Sequence, residues 1–171
     1  MMESAIQLAM KFTLAAEGKF TIDDGGPTMY GVTQRVYDAF RLNQDLHTQS
    51  VEHITMAEVE TIMRTQYWNP AACDLLETKL AICQFDWAYN HGVRGANQTL
   101  QMVAGVAQDG IIGQITLRAI RSAPDIVTKQ LAARLAWYRD DAQHEPSHRQ
   151  YLAGWINRVN ELKHYLATLG E

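Results

Sequence analysis

Residues 17–33 read EGKFTIDDGGPTMYGVT, and this stretch predicts both a turn in the fold and a type of chemistry. The chain before it has apolar residues at helical spacing, and Glu17 extends their face by one turn. We therefore predict a helix over about residues 2–16. Its apolar face consists of Ile6, Met10, Thr13 and Leu14. A carboxyl on that face, at the helix C-terminus, is expected to keep its proton because burial and unpaired carbonyls both disfavour the charge. A protonated carboxyl is what a general acid requires.

A second acidic group follows within the same stretch. Asp23 and Asp24 directly precede Gly25-Gly26-Pro27, a sequence that favours a tight turn. We predict a hairpin of residues 20–22 against 28–32, which folds one of the two aspartates back toward Glu17. Two carboxyls in unlike surroundings are typical of glycoside hydrolysis. The same pattern also occurs in ordinary capped loops, so spacing alone does not decide between the two.

Composition limits the class of protein. The chain has 171 residues, 47% of them hydrophobic and 20% charged, which predicts a single compact domain over residues 1–171. A net charge of −4 without a Lys/Arg cluster argues against nucleic acid as a partner. The six histidines show no zinc-ligand spacing with Cys73 and Cys83, so we expect no metal and no cofactor. We interpret the two cysteines as reduced core residues.

The N-terminal residues bear on where the protein works. The first 16 residues are apolar but include Glu3 and Lys11 and lack a basic start, so they do not resemble a signal peptide. No segment reaches the ~20 apolar residues of a membrane span. We expect synthesis in the cytoplasm, no membrane span, and export that depends on other proteins.

Local signals predict helices for most of the remaining chain. Thr33 is suited to cap one helix, and Thr55 with Glu58 forms a capping box for the next. Ser147 is suited to cap the last helix. The other predicted helices are 78–91 ending at Gly92, 96–104 ending at Gly105, 113–120, and one from Pro124 through Tyr138.

Several motifs occur together in one order along residues 5–165. They are Glu17-Gly18, Asp24-Gly25-Gly26, Thr28 to Thr33, Tyr67-Trp68-Asn69-Pro70, Asp86 to Gly92, Asp109 to Gly113, and Gly154 to Arg158. In these motifs the chain resembles the lysozyme-like N-acetylmuramidases of glycoside hydrolase family 108. One position departs from the family: Lys19 stands where a second glycine is common after the Glu-Gly pair. A cation beside Glu17 favours the charged carboxylate, which opposes its role as an acid.

The resemblance implies a fold and an activity. The fold is mainly α, of the α+β lysozyme-like kind, with one small β-hairpin beside the active-site cleft. Residues 5–92 would form the catalytic segment, and residues 93–167 a helical segment predicted to bind peptidoglycan and packed on the first. The implied reaction is hydrolysis of the β-1,4 bond between N-acetylmuramic acid and N-acetylglucosamine, with Glu17 as general acid.

The resemblance also assigns roles to individual residues. Asp24 matches the second acidic position, and Thr28 a residue that holds a water or the reacting sugar. Four further residues are candidates for substrate binding: Tyr30, Asn90, Trp68 and Tyr89. Aromatic residues at helical spacing are more often part of a core, and that alternative stays open for Tyr30, Trp68 and Tyr89. Asp86 shares a helix face with Asn90, and we expect it to be structural.

Other functions fit the same motifs. One is a lytic transglycosylase, which needs Glu17 but no second carboxylate, and another is a chitinase. A third is a non-catalytic module that binds the cell wall. For the muramidase we expect the peptidoglycan glycan strand as partner, a monomer in solution, and delivery by a holin or a secretion apparatus.

Overall fold

The computed structural model describes residues 3–15, 20–23 and 26–170. The chain divides into two compact units, Met1–Gln66 and Tyr67–Glu171, called here the first and the second unit. Helices predominate, beside one small antiparallel sheet, so the predicted fold class is confirmed. The α-helices of the described residues are α1 Ala5–Ala15, α2 Gln34–Leu42, α3 Met56–Met63, α4 Thr78–His91, α5 Val93–Ala104, α6 Gln114–Ser122, α7 Ile126–His144 and α8 Leu152–Thr168.

The sheet of the first unit has three strands, β1 Thr21–Asp23, β2 Gly26–Met29 and β3 Val32–Thr33, in that order. The predicted hairpin is present as the antiparallel pair of β1 and β2. The expectation that residues 28–32 form one continuous strand is wrong, because the chain reverses after Met29 and returns as β3.

The reversal takes place at Tyr30 and Gly31, which have φ angles of 51° and 73°. Two consecutive residues with positive φ between antiparallel strands are typical of a tight hairpin turn whose twist matches that of the strands. Glycine adopts this conformation freely, whereas tyrosine rarely does. Tyr30 therefore has a disfavoured backbone conformation, and tyrosine is not one of the residues that usually mark a turn.

The two predicted helix caps of the first unit are confirmed. The Thr33 hydroxyl accepts a hydrogen bond from the Val36 N–H at 3.4 Å, at the start of α2. At the start of α3, the Thr55 hydroxyl accepts from the Glu58 N–H, and the Glu58 carboxylate accepts from the Thr55 N–H at 2.9 Å. This reciprocal pair satisfies two N–H groups that a helix start otherwise leaves open.

The second unit is built around α4. Nine consecutive residues of this helix, Leu80 to Ala88, are buried. A helix buried on all sides is expected at the centre of a helical core, and α5 and α7 both pack against it. Leu80 also forms an apolar cluster with Leu100 of α5 and Ile120 of α6. Gly92 and Gly105 follow α4 and α5 with positive φ angles, as predicted.

The start of the last helix differs from the prediction. Ser147 is not its cap, because α8 begins at Leu152 after a 3-10 turn over Pro146–Tyr151. Proline favours the first position of a helical turn, so the turn starts at Pro146 and Ser147 lies inside it. Cys73 and Cys83 are buried free thiols, as predicted. Over the described residues, no helix is both long enough and apolar enough to cross a membrane.

Candidate functional site

Both candidate carboxyls lie outside the described residues. Glu17 follows α1, whose last residue is Ala15. The Asp24 position falls between β1 and β2, where Asp23 is paired with Gly26. Their roles and the distance between the two carboxyls therefore stay predictions. The described residues of the first unit that belong to the candidate site are Thr28 and those that line a groove.

Thr28 lies in the middle of the small sheet. It pairs with Thr21 of β1 on one side and with Thr33 of β3 on the other. The side chain is half-buried, and its hydroxyl donates a hydrogen bond to the Gly26 carbonyl at 3.3 Å. A hydroxyl also has two acceptor lone pairs, so Thr28 keeps the capacity to hold a water molecule.

A groove of about 580 Å³ runs along the first unit. Residues of helix α1 and of the start of α3 line the groove, and Tyr30, in the turn between β2 and β3, also lines it. Its lining is largely apolar, with a few charged groups at the margin: Glu3, Gln7, Met10, Lys11, Leu14, Ala15, Tyr30, Met56, Ala57 and Glu60. Ligand sites are typically concave and mostly apolar with a few polar groups. Tyr30 is the one predicted site residue among these lining residues, and its ring is half-exposed.

The other aromatic candidates belong to the second unit. Trp68 is 1% exposed, contacts Phe85 at a ring distance of 5.7 Å, and donates its indole N–H to Asp74. In this position Trp68 has no ring face open to a sugar. Tyr89 is half-buried and contacts the Tyr67 ring edge-on at 5.3 Å. Tyr89 therefore keeps part of its surface accessible, whereas Trp68 is a core residue.

Asn90 is exposed at the end of α4. Its side-chain amide donates a hydrogen bond of 2.7 Å to the Asp86 carbonyl, one turn back on the same helix. Among the described residues, the amide oxygen and the second N–H of Asn90 remain for a ligand. This geometry is compatible with the predicted substrate contact by Asn90. In the part of the chain that the structure describes, the only hydrogen bond of its side chain is the one to its own helix, so no such bond links it to another candidate residue.

The sequence did not reveal the main polar cluster of the second unit. Asp86 is fully buried and forms ion pairs with Arg134 at 2.6 Å and Arg158 at 2.7 Å. The Arg134 guanidinium also donates to the Tyr138 hydroxyl and lies over the Trp87 ring at 4.8 Å. Burial by itself raises the pKa of Asp86, but the charge of Arg134 and the hydrogen bonds from Arg158 outweigh it and lower the pKa. Asp86 is thus structural, as expected.

A second polar element holds the loop after α5. Gln101 is buried; its amide nitrogen donates to Asp109 at 2.6 Å and to the Ile111 carbonyl at 3.0 Å. Its amide oxygen accepts from the Gly110 N–H at 2.8 Å. The predicted Asp109-Gly110 turn is present, with Gly110 at a φ of 82°. One glutamine side chain therefore fixes the turn in the segment predicted to bind peptidoglycan.

Within residues 3–15, 20–23 and 26–170, no group of three or more His, Cys, Asp or Glu side chains is placed to hold a metal ion. Burial raises the pKa of both thiols, Cys73 and Cys83, so they are poor metal ligands and poor nucleophiles at neutral pH.

Comparison with known proteins adds the family. The model described as Glycosyl hydrolase 108 matches residues 10–92, and the one described as Predicted Peptidoglycan domain matches residues 93–160. Among solved structures, the chain is similar to SagA of Brucella abortus, with 30% identity over 95% of this chain and 94% of that chain, and a TM-score of 0.76. A comparison with curated proteins gave no match.

The chain belongs to glycosyl hydrolase family 108. Together with the peptidoglycan segment, this makes it a glycosidase that acts on the bacterial cell wall.

Proposed function

We propose that this protein is a muramidase, which hydrolyses the β-1,4 bond between N-acetylmuramic acid and N-acetylglucosamine with Glu17 as general acid. The observation that carries the proposal is the family match over residues 10–92, which includes the whole motif at 17–33. The match to a peptidoglycan segment over residues 93–160 supports the choice of polymer.

The described residues support the role of Glu17 indirectly. Helix α1 buries Ile6, Met10 and Thr13, so its direction is set by packing up to Ala15, two residues before Glu17. A carboxyl soon after such a helix would be expected near the unpaired carbonyls of the helix C-terminus, which favour the protonated form. Protonation of the leaving sugar oxygen by Glu17 would let the glycosidic bond break as positive charge develops on the other sugar.

The second carboxyl would stabilise that charge or hold the attacking water. We assign this role to Asp24, and to Thr28 the support of the water through its free lone pairs. Tyr30, on the groove of the first unit, and Tyr89, half-exposed in the second unit, are our candidates for stacking on sugar rings, with Asn90 as a polar contact. We do not extend a stacking role to the buried Trp68. The site of action would be the cell wall, reached through a holin or a secretion apparatus.

The choice between the two adjacent aspartates is testable. If the chain is extended at these two residues, their side chains would point to opposite sides and only one of them would face Glu17. Asp24→Asn should lose most of the activity on purified walls, whereas Asp23→Asn should change the rate little. The reverse ranking would show that Asp23 is the assisting group. Equal and small losses would favour a mechanism with one carboxyl.

Wall digestion tests the proposed function as a whole. The protein should lower the turbidity of a peptidoglycan suspension and release reducing ends, and Glu17→Gln should do neither at a comparable rate. Purified chitin serves as the control polymer, since a muramidase should prefer peptidoglycan and a chitinase should prefer chitin. Binding to walls without any loss of turbidity would identify a non-catalytic module and contradict the proposal.

A further inference from the structure

A small pocket lies in the second unit, and none of the residues assigned above is among those that line it. Its volume is about 220 Å³, and α5, α7 and the end of α4 contribute to it. The side chains that line it include His91, Gln98, Thr99, Met102, Gln108 and Trp137. All of these except His91 fall within residues 93–160, the segment that matches a peptidoglycan domain.

One wall of the pocket is a stack of aromatic rings. The His91 imidazole lies parallel to the buried Trp87 ring at 4.2 Å, and Trp137 meets His91 edge-on at 4.1 Å. Trp137 also contacts Trp87 and Tyr138, so three rings hold it in place. Its own side chain is 37% exposed. A fixed and partly exposed indole offers a large apolar contact surface with little conformational entropy left to lose on binding.

The stack depends on a glycine. A Cβ atom at Gly95 would lie 2.5 Å from Cδ2 and 2.6 Å from Nε2 of His91. No side chain fits there without moving the imidazole, so Gly95 lets His91 lie against α5 and under Trp137. A glycine inside a helix also costs about 0.5–1 kcal/mol relative to alanine. The position of His91 in the pocket wall therefore requires a glycine at residue 95, although glycine lowers the stability of the helix.

The lining is neutral. Burial and the charge of Arg134 lower the pKa of His91, so its imidazole is uncharged at neutral pH. The nearby Arg134 guanidinium is 1% exposed and paired with Asp86, which leaves it unable to reach a ligand. A carboxylate in this pocket would lose water without gaining a cationic partner.

The polar groups of the pocket are mainly side-chain amides. Gln98 donates from its amide nitrogen to the Gln108 carbonyl at 3.1 Å, and no residue within 26–170 bonds its amide oxygen. The side-chain amide of Gln108 is likewise without a bond from those residues. An amide group presents both a donor and an acceptor, which matches the N–H and C=O of an acetamido group.

We infer that this pocket binds one N-acetylglucosamine residue of the glycan strand, with its apolar ring face on Trp137 and its acetamido group on the glutamine amides. The inference rests on the proposed function for the identity of the polymer. The pocket is below the ~300–1,000 Å³ of sites that enclose a drug-sized ligand, which fits a single sugar ring. N-Acetylmuramic acid carries either a free lactyl carboxylate or, through that carboxyl, a stem peptide with carboxylates of its own, and the neutral lining disfavours both.

The test is a titration of the full chain with the tetramer of N-acetylglucosamine, followed by NMR of the indole N–H signals. All variants carry Glu17→Gln, which keeps the tetramer intact if Glu17 is the acid. The Trp137 signal should shift on binding. Trp137→Ala should weaken binding at least about tenfold, while Trp137→Tyr, which keeps a ring, should retain most of it. Tyr151→Ala is the matched control, because Tyr151 is an exposed aromatic residue of the same unit outside the pocket.

Two variants guard against a folding artefact. Gln98→Ala removes only a half-exposed polar side chain and should also weaken binding, and Gly95→Ala should weaken it by displacing His91. No shift of the Trp137 signal, or equal losses in Trp137→Ala and Tyr151→Ala, would overturn the inference, as would a preference for muramoyl dipeptide over the tetramer. If the tetramer binds at Trp137 but the parental protein with Glu17 does not cleave walls, the inferred sugar site would be supported and the muramidase proposal would be refuted.

Discussion

The two units differ in where they keep their polar side chains. Among the described residues, the first unit buries only Thr13, whereas the second unit buries seven: Gln84, Asp86, Asn97, Gln101, Thr116, Gln130 and Arg134. The polar contacts of the first unit are half-buried, as in the pair of Arg41 and Glu58, whose side chains are 15% and 17% exposed. Buried polar bonds are costly to break because their partners lose water as well as each other. We therefore expect substitutions in the second unit to affect stability, and those near Glu17 to affect activity.

The largest effect is expected for Glu17→Gln in the first unit. Glutamine keeps the shape of the side chain but cannot supply the proton, so the rate of wall cleavage should fall by about 10²–10⁴. Folding should be preserved, which circular dichroism and the unfolding midpoint would verify. A variant that cleaves walls at nearly the parental rate would remove Glu17 from the site.

The corresponding change in the second unit is Asp86→Asn. It leaves Arg134 and Arg158 without their buried carboxylate, and we expect a loss of about 3–5 kcal/mol in the free energy of unfolding. Urea titration measures it. Asp140→Asn is the control, since Asp140 forms an exposed pair with His144 and should change stability by less than about 1 kcal/mol. Equal losses in the free energy of unfolding for the two variants would show that the buried ion pairs of Asp86 stabilise the fold no more than the surface pair does.

The pH dependence of this stability has a definite sign. The pKa of Asp86 in the folded protein is below its ordinary value of 3.8. The stabilisation is therefore complete above that value and is lost as the pH falls through the lower, folded pKa. The gap in stability between the parent and Asp86→Asn should narrow below pH 3.8. A gap that stays constant down to strongly acidic pH would contradict the assigned ion pairs.

An intermediate effect is expected at Gln101. Replacement by alanine leaves the Gly110 N–H and the Ile111 carbonyl without their partner, which should cost about 1–3 kcal/mol. Hydrogen exchange at the Gly110 amide should accelerate more than exchange in α4. Gln150→Ala is the control, since Gln150 is an exposed glutamine of the same unit whose amide donates, among the described residues, only to the nearby Ser147 carbonyl. Unchanged exchange at Gly110 would show that the turn does not depend on Gln101.

The smallest effect is expected at the capping box of the first unit. Thr55→Ala should lower stability by about 1 kcal/mol. In calorimetry it also tests the prediction that residues 1–171 form one domain. If the chain unfolds as one domain, a single transition should shift as a whole. Two transitions, of which only one responds to Thr55→Ala, would show that the units unfold independently.

Local signals in the sequence predicted much of the fold. Thr33, Thr55, Gly92 and Gly105 each mark a helix end, because capping depends on residues only a few positions away. The turn at Tyr30 was missed, since tyrosine is unusual at positive φ. Asp86 lies 48 residues before Arg134 and 72 before Arg158, so only the folded structure brings these charges together.

The site was less accessible to prediction than the fold. Glu17 and Asp24 were predicted from their spacing and from the family motif. Both signals depend only on residues that are close together in the chain. Only the structure distinguishes the aromatic candidates from one another: Trp68 is buried, whereas Tyr30 and Tyr89 are partly exposed. A ring at helical spacing fits a core and a binding site equally well, and its burial distinguishes the two. The pocket at Trp137 depends on Gly95, whose role is visible only through its distance from His91.

We propose that the first unit carries the acid of a hydrolase. Mass spectrometry of the fragments released from purified peptidoglycan tests it most directly. Hydrolysis adds water across the glycosidic bond, so every new end should be a reducing N-acetylmuramic acid, and Glu17→Gln should produce almost none. Fragments that end in anhydro-N-acetylmuramic acid, one water lighter, would identify a lytic transglycosylase. Fragments with reducing N-acetylglucosamine ends would show that the other bond of the strand is cut, and both results would contradict the muramidase account.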